Sequence, residues 1–289
     1  MLILYTDTDT DITPKTAAQY GYKLISMPYT SDGVTVYPYE DSEDLDIHAF
    51  YDTLRAGALP TTSAISEAKY EQYFEPEFAA GNDILYVHFS RAMTVTFDAM
   101  DKAVARLKEK YPGRKFYSID TKGITTCSLG ICLEIGDMYK AGKTAEEIVA
   151  WAEKEVLHFG TYFIADDLKF FRRSGRVSGL KATMGTLLGV RPLIYMNGEG
   201  KMVSLDSIRG RRKALERLAG LIEERGEDVE AHRVVIGHTD SPDLVEELRE
   251  ILTERYGDKF RIVVEATNPT AGSHCGPNAV GLCFHVRER

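Results

Sequence analysis

The sequence lacks the features typical of a membrane-spanning protein, of an exported protein and of a structural metal site. No apolar run approaches the roughly 20 residues that cross a bilayer. The opening MLILYTDTDTD has acidic residues where a secretion signal has basic ones. The four cysteines lack the CxxC spacing of zinc sites. We therefore expect a cytoplasmic protein with reduced thiols, no membrane span and no bound metal.

Positive charge is also scarce. Lys and Arg number 35 against 44 Asp and Glu, which gives a net charge of -9. A chain with this balance repels a polyphosphate backbone, so we expect no nucleic-acid partner. The 44% hydrophobic and 27% charged fractions are those of a soluble globular protein, and a length of 289 residues favours two domains.

Sequence motifs for nucleotide binding and for serine hydrolases are absent as well. No GxGxxG follows the first predicted strand, and no GxSxG occurs. GDMYKAGKT has five residues between its glycines, whereas a Walker loop has four. We interpret Gly142 as the end of one helix and TAEE, from Thr144, as the capping box of the next. We expect no cofactor.

What the sequence does contain is a regular alternation of short apolar runs and helical stretches, which predicts an α/β fold built from βαβ units. The N-terminal domain, residues 1–160, is expected to hold a mainly parallel sheet with flanking helices. The C-terminal domain, residues 161–289, is expected to hold a mixed sheet with helices. The expected strands are 2–5, 23–29, 84–89, 115–119, 161–165, 192–196, 202–205, 233–237, 261–264 and 280–286.

Three aspartates at alternate positions end the first strand in LILYTDTDTD. A calcium loop is excluded, because its sixth and twelfth positions would need glycine and glutamate and have neither. Asp7 and Asp9 also resemble the nucleophile and acid–base pair of magnesium-dependent haloacid-dehalogenase-type phosphatases, with Asp166 and Asp167 as a second acidic pair. The alternative is that these aspartates cap helices and bind backbone amides.

A further group of segments, PTTSAIS, VHFSRAMTVTF and SHCGP, is rich in hydroxyls or glycine and stands just before a predicted helix or strand. Short side chains let backbone amides approach an anion there. Thr62, Thr94 and His274 would each donate a hydrogen bond to a carboxylate without a metal. The alternative is that the hydroxyls are ordinary N-caps and His274 a loop residue.

The stretch KFFRRSGRVSGLKATMGTLLGVRPLI, residues 169–194, is expected to run from a basic turn into a helix of small and apolar residues and then into a strand. Arg172, Arg173 and Arg176 in the turn allow two interpretations. They form either a solvated basic loop or a docking site for an acidic or phosphate-bearing partner.

Seven segments, in this order, resemble motifs of the DegV family: TDTDTDI, PTTSAIS, SRAMTVTF, FFRRSGRVS, LLGVRPLI, SIRGRRKAL and HCGPNAVG. The resemblance implies a two-domain bacterial protein that binds one long-chain fatty acid, with the carboxylate at the domain junction and the tail buried. It implies a lipid carrier, not an enzyme, which serves as the substrate subunit of an ATP-dependent fatty acid kinase. The region of Arg172 and Arg173 corresponds to the one that docks the kinase.

By position, the resemblance assigns the carboxylate-binding threonine to Thr62, a serine position to Thr94 and the family histidine to His274. We expect the glycines and Pro277 to form a tight turn that presents His274 to the head group. Further candidates for ligand binding are Ser63, Ser90, Arg209, Ser273 and Gly276.

The chain also departs from the family pattern near the expected head group. Thr94 and Val95 stand where the family has Ser-Gly, Ala64 where glutamine is common, and Ser174 where it has glycine. The loss of a glycine restricts how closely the backbone can approach a ligand. A different carboxylate or acyl length is consistent with these changes.

Overall fold

The computed structural model describes residues 1–41, 45–166, 168–178 and 189–289. Asp167, from the predicted second acidic pair, lies outside the described residues, as does 179–188, where the sequence predicts a helix. The strands are β1 (Leu2–Asp7), β2 (Tyr22–Ile25), β3 (Tyr29–Ser31), β4 (Val34–Val36), β5 (Thr61–Thr62), β6 (Asp83–His88), β7 (Phe116–Asp120), β8 (Phe159–Ala165), β9 (Val177–Ser178), β10 (Val190–Met196), β11 (Met202–Arg209), β12 (Arg233–His238), β13 (Arg261–Ala266) and β14 (Ala279–His285). The α-helices are α1 (Pro14–Tyr20), α2 (Ile47–Arg55), α3 (Glu67–Ala79), α4 (Thr96–Lys110), α5 (Thr126–Lys140), α6 (Ala145–Glu155), α7 (Lys169–Ser174), α8 (Arg211–Arg225), α9 (Pro242–Tyr256) and α10 (Pro269–Cys275).

The first half of the chain builds a parallel sheet in the order β2-β1-β6-β7. Its central strands are buried on both faces, which is why LILYTD and DILYVH read as continuous apolar runs. Helices α3 and α4 pack together beside this sheet. A small, separate antiparallel sheet, β4-β3-β5, is formed by segments that follow β2 in the chain and carries Thr62.

The second half builds a mixed sheet in the order β13-β12-β14-β8-β10-β11-β9. Strand β14 runs antiparallel to both of its neighbours, β12 and β8, whereas β12 and β13 are parallel. Helices α8 and α9 pack on each other and on this sheet. The α/β fold, with one parallel and one mixed sheet, is therefore confirmed.

Helix α5 lies between the two sheets. Ten of its 15 residues are buried, so it has no solvent-facing polar stripe of the usual kind. It contacts β8, β12 and β14 of the mixed sheet as well as α1 from the first half. One hydrophobic cluster joins Leu4 and Val87 of the parallel sheet, Leu129 of α5, and Val235 and Cys283 of the mixed sheet. The two halves thus share part of their core.

The structure departs from the expected elements at 23–29, where one strand was expected and two occur. Ser26 and Met27 leave the ladder: the Ser26 hydroxyl donates to the Pro38 carbonyl at 2.7 Å, and the Met27 amide donates to Thr8 Oγ1 at 2.9 Å. Pro28 has no N–H to continue a strand. The capping box at Thr144 is present, with both of its hydrogen bonds.

None of the helices in the described part of the chain is both long and apolar enough to cross a membrane.

Candidate ligand-binding site

A cavity of about 490 Å³ lies between the carboxyl ends of the parallel strands and one face of the mixed sheet. Asp9 and Phe89, just beyond β1 and β6, line it from one side, and Phe163 of β8 lines it from the other. The carboxyl edge of a parallel sheet is where open α/β folds bind ligands. Much of the wall is apolar, and its larger members include Met27, Phe89, Met93, Phe163, Met196 and Met202.

Thr62 and His274 meet in the wall of this cavity. The Thr62 Oγ1 and His274 Nε2 atoms are 2.9 Å apart, although the residues are 212 positions apart in the chain. Strand β5 holds Thr62 by pairing it with Tyr29 of β3. Both residues line the cavity.

The segment that carries His274 is a helix and not the expected tight turn. Asn268 caps α10 by accepting hydrogen bonds from the amides of Thr270 and Ala271, and Pro269 occupies the first turn. The glycines serve packing: a Cβ on Gly272 would lie 2.5 Å from the Tyr51 hydroxyl. The turn prediction was therefore wrong for 269–275, because small residues here allow a helix to pack closely.

Gly276 ends this helix with a φ of 72°, in the left-handed region. A Cβ at this position would lie 2.1 Å from the ring of Phe170. Gly276, proposed from sequence as a ligand-binding residue, is buried against that ring and is not among the residues that line the cavity.

His274 is held in its neutral form. Burial, together with the positive charges of Arg176 and Arg173, lowers the pKa of its imidazole to about 4. A neutral imidazole carries one N–H. If that proton is on Nε2, it is donated to Thr62 Oγ1 and the threonine hydroxyl is left to donate into the cavity. If it is on Nδ1, the threonine donates to the ring.

Thr94 and Ser63 also line the cavity, as does Val95, whose side chain is 71% exposed. Thr94 Oγ1 accepts the amide of Thr96 at 3.1 Å, at the start of α4. This bond uses an acceptor position and leaves the hydroxyl proton of Thr94 as a donor.

The remaining sequence candidates lie elsewhere. The Ser90 hydroxyl donates to the Gly200 carbonyl at 2.8 Å, and the Ser273 hydroxyl donates to the Pro269 carbonyl at 2.8 Å. Both side chains are buried, and neither residue lines the cavity. Arg209 is exposed at the end of β11 and is likewise absent from the lining.

The three arginines of the predicted basic turn have different environments. Arg172 is exposed on α7. Arg173 donates to the carbonyls of Leu59, at 2.6 Å, and Pro60, just before the strand that holds Thr62. Arg176 lines the cavity. Sequence reasoning treated all three as one loop and did not include Arg176 among the carboxylate-binding candidates.

Comparison with known proteins identifies the family. Residues 2–287 match the family model described as "Uncharacterised protein, DegV family". This chain belongs to the DegV family. A DegV domain-containing protein of Clostridium perfringens is 29% identical over 282 residues, which cover 98% of this chain and 96% of that protein.

Solved structures agree with this DegV fold over the whole chain. A stearic acid-binding protein from Eubacterium ventriosum matches with a TM-score of 0.87 and 18% identity, covering 99% of each chain. A fatty acid binding DegV family protein from Streptococcus agalactiae matches with a TM-score of 0.85 and 23% identity, covering 100% of this chain and 99% of that one. A DegV family protein from Eubacterium eligens, loaded with heptadecanoic acid, gives 0.83 at 20% identity, covering 99% and 100%.

The phosphatase hypothesis gains no support from the surroundings of Asp7 in this DegV chain. Asp7 is fully buried, where it accepts hydrogen bonds from the Tyr86 hydroxyl at 3.0 Å and from the Phe89 and Asp9 amides. Burial raises its pKa to about 7. A phosphatase nucleophile must reach phosphorus as a carboxylate, whereas this side chain is enclosed by its own protein.

The positions of the possible metal ligands also give no support to the magnesium-dependent phosphatase hypothesis. Within the described ranges, His48, Asp52 and Asp240 are the one group of three or more side chains whose ligand atoms are close enough to hold a metal. Asp7 and Asp9 do not belong to this group. Arg55 already pairs with Asp52 and Asp240 there. Asp166 of the predicted second acidic pair is exposed and pairs with Arg191 at 2.5 Å.

Proposed function

We propose that this DegV protein binds one long-chain fatty acid in the cavity and presents its carboxylate, near Thr62 and His274, to a separate ATP-dependent kinase subunit. The observation that carries the proposal is the hydrogen-bonded Thr62–His274 pair in the wall of a largely apolar cavity. The known fatty-acid ligands of the similar Eubacterium and Streptococcus proteins support it.

The free energies of tail burial and of hydrogen bonding indicate what the tail and the carboxylate of the ligand each contribute to binding. Burying about ten methylenes at roughly 0.8 kcal/mol each contributes around 8 kcal/mol before ordering costs. A single hydrogen bond to the charged carboxylate adds about 1.5–3 kcal/mol net. The tail therefore contributes more than any one polar contact, while Thr62, Thr94 and neutral His274 orient the acid and select its carboxylate end.

Positive charge at the cavity comes from arginine. Arg176 lines the cavity, and its effect on the His274 pKa indicates that its guanidinium is near the imidazole. A carboxylate near the imidazole would be stabilised by this charge, which a neutral histidine lacks. Arg173 acts more indirectly, since its bonds to Leu59 and Pro60 hold the chain that leads into Thr62.

The exposure of Arg172 supports a partner surface on α7. Arg172 is exposed on the short helix α7, next to Arg173, and Val95 is exposed at the cavity rim. A kinase that docks on α7 would therefore lie close to the carboxylate of the bound acid. Phosphoryl transfer to that oxygen requires ATP and Mg²⁺ positioned by the kinase.

Native mass spectrometry of protein purified without detergent tests the carrier function directly. We expect a retained fatty acid, and acyl phosphate formed when ATP and the kinase subunit are added, trapped as a hydroxamate. Arg172→Ala should lower acyl phosphate formation but leave the retained lipid unchanged. Failure of the delipidated protein to bind any fatty acid would refute the carrier function.

A further inference from the structure

Two separate segments of the chain bring the proposed carboxylate-binding threonines to the cavity. Residues 62–64 line it from one segment and residues 94–96 from the other. Thr62 belongs to the first segment and Thr94 to the second. The position of one segment relative to the other therefore decides whether both hydroxyls can reach the same head group.

The first segment is held at both of its ends. At its start, Thr62 pairs with Tyr29 of β3. At its end, the amide of Ile65 donates to Thr96 Oγ1 at 3.0 Å. The two residues in between are exposed. The bond from Ile65 to Thr96 thus fixes the end of the first segment directly against the second.

The hydroxyl of Thr96 is used within the protein. Besides the Ile65 amide, it has the Tyr70 hydroxyl as a hydrogen-bond partner at 3.2 Å. Thr96 and Ile65 are each 1% exposed, and Tyr70 is completely buried. A hydroxyl with two buried protein partners acts on the protein itself, in contrast to the half-buried Thr94.

The backbone of Thr96 holds the second segment at the same time. Its amide donates to Thr94 Oγ1 at 3.1 Å, at the residue where α4 begins. One residue therefore bonds to both segments, through its side chain to the first and through its amide to the second. A substitution that removes only the hydroxyl breaks the first connection and keeps the other.

The packing of α3 on α4 does not depend on this hydroxyl. Tyr70 and Phe74 of α3 share a hydrophobic cluster with Phe97 of α4. Across the outside of the same two helices, Arg106 pairs with Glu67 and with Glu71, each at 2.6 Å. We therefore expect Thr96→Val, which keeps the shape of the side chain, to fold.

We infer that Thr96 is a positioning residue for the carboxylate site: its hydroxyl fixes Thr62 relative to Thr94 without touching the ligand. The inference rests on the proposed fatty-acid binding. In Thr96→Val the buried amide of Ile65 loses its acceptor, which is unfavourable. The first segment is then expected to shift until the amide finds another partner. A small shift is sufficient, because hydrogen bonds weaken steeply as their geometry departs from the ideal.

The test is calorimetric titration of delipidated protein with stearate and with methyl stearate. Thr96→Val should weaken stearate binding by about tenfold, the equivalent of one lost hydrogen bond to a charged group, and should affect the ester clearly less. Thr96→Ser restores the hydroxyl and should restore the affinity. Tyr70→Phe is the matched control, because it removes a bond to the same Thr96 oxygen and leaves the bond from Ile65. It should keep the wild-type ratio of acid to ester affinity.

A double-mutant cycle with Thr62→Val separates positioning from a general loss of stability. If Thr96 acts through Thr62, the loss in the double variant should be smaller than the sum of the two single losses. Additive losses, equal losses for acid and ester, or the same loss in Tyr70→Phe would each overturn the positioning role. Wild-type protein that binds no stearate would instead refute the carrier function.

Hydrogen exchange of the wild-type protein, measured by NMR, keeps the inference testable if Thr96→Val does not fold. The Ile65 amide should exchange much more slowly than the amides of Ser63 and Ala64, because it is buried and bonded to Thr96. Exchange at the same rate for all three would show that the bond does not hold the segment, and would overturn the inference without any variant.

Discussion

Thr62→Val removes one hydroxyl from the proposed head-group site and changes little else. Valine and threonine have nearly the same shape, and Thr62 sits in a two-residue strand whose backbone pairing with Tyr29 does not involve the side chain. The variant also leaves His274 Nε2 without the partner that it has at 2.9 Å. Any change in binding should therefore report on the hydroxyl and on the imidazole that it orients.

The expected loss follows from the charge of the ligand. A hydrogen bond to a carboxylate contributes about 1.5–3 kcal/mol. Its loss corresponds to a roughly ten- to hundredfold larger dissociation constant. The tail contributes about 0.8 kcal/mol for each buried methylene and is untouched by the substitution. Binding should consequently be weakened and not abolished.

Calorimetric titration of delipidated protein with stearate measures this loss, and Thr61→Val is the control. Thr61 is the adjacent threonine of the same strand, is exposed and does not line the cavity. Methyl stearate provides a second comparison, since it has the same tail and no negative charge. The effect of Thr62→Val should be clearly smaller for the ester. Equal losses for acid and ester, or an unchanged affinity for stearate, would show that Thr62 does not bind the carboxylate.

Two further predictions concern stability. Burial lowers the pKa of His88 from 6.5 to about 4. Between pH 6.5 and pH 4 the unfolded state therefore takes up a proton that the folded state does not. The free energy of unfolding falls as the pH is lowered through this range. His88→Gln should reduce the fall in the free energy of unfolding over this range by up to about 3 kcal/mol, as measured by urea titrations at a series of pH values. Parallel plots of the free energy of unfolding against pH for the two proteins would contradict this prediction. Gly237→Ala places a Cβ 2.3 Å from Thr126 Oγ1 and should cost about 1–3 kcal/mol. Adding Thr126→Ala should recover part of that loss in a double-mutant cycle, and strict additivity would argue against the clash.

Local patterns were reliable where one stretch of chain determines its own structure. Each expected strand overlaps a strand of the structure, because alternation and continuous apolar runs follow from which faces are buried. The capping box at Thr144 was also found, since its donors and acceptors lie within four consecutive residues. The segment around His274 was misread, because its glycines suggested a turn and the packing of Gly272 on Tyr51 is a contact between distant residues.

For the candidate site, the resemblance of seven ordered segments led to Thr62, Thr94 and His274, all of which line the cavity. It did not separate them from Ser90 and Ser273, whose hydroxyls bond to backbone carbonyls of their own protein. Hydroxyl-rich segments look alike in sequence whether they bind a ligand or the backbone. Asp9 was noticed as a possible catalytic aspartate, but its place in the wall of the cavity is visible only in three dimensions.

The sequence by itself determined the α/β class, the approximate position of the strands and the family, because these depend on periodicity and on ordered motifs along the chain. Only the tertiary structure decided which side chains share the cavity. Helix α5 packs between the two sheets and α10 lies against β5, so groups as distant in sequence as Thr62 and His274 come within hydrogen-bonding distance. That proximity arises from burying apolar faces against each other, and no local pattern encodes it.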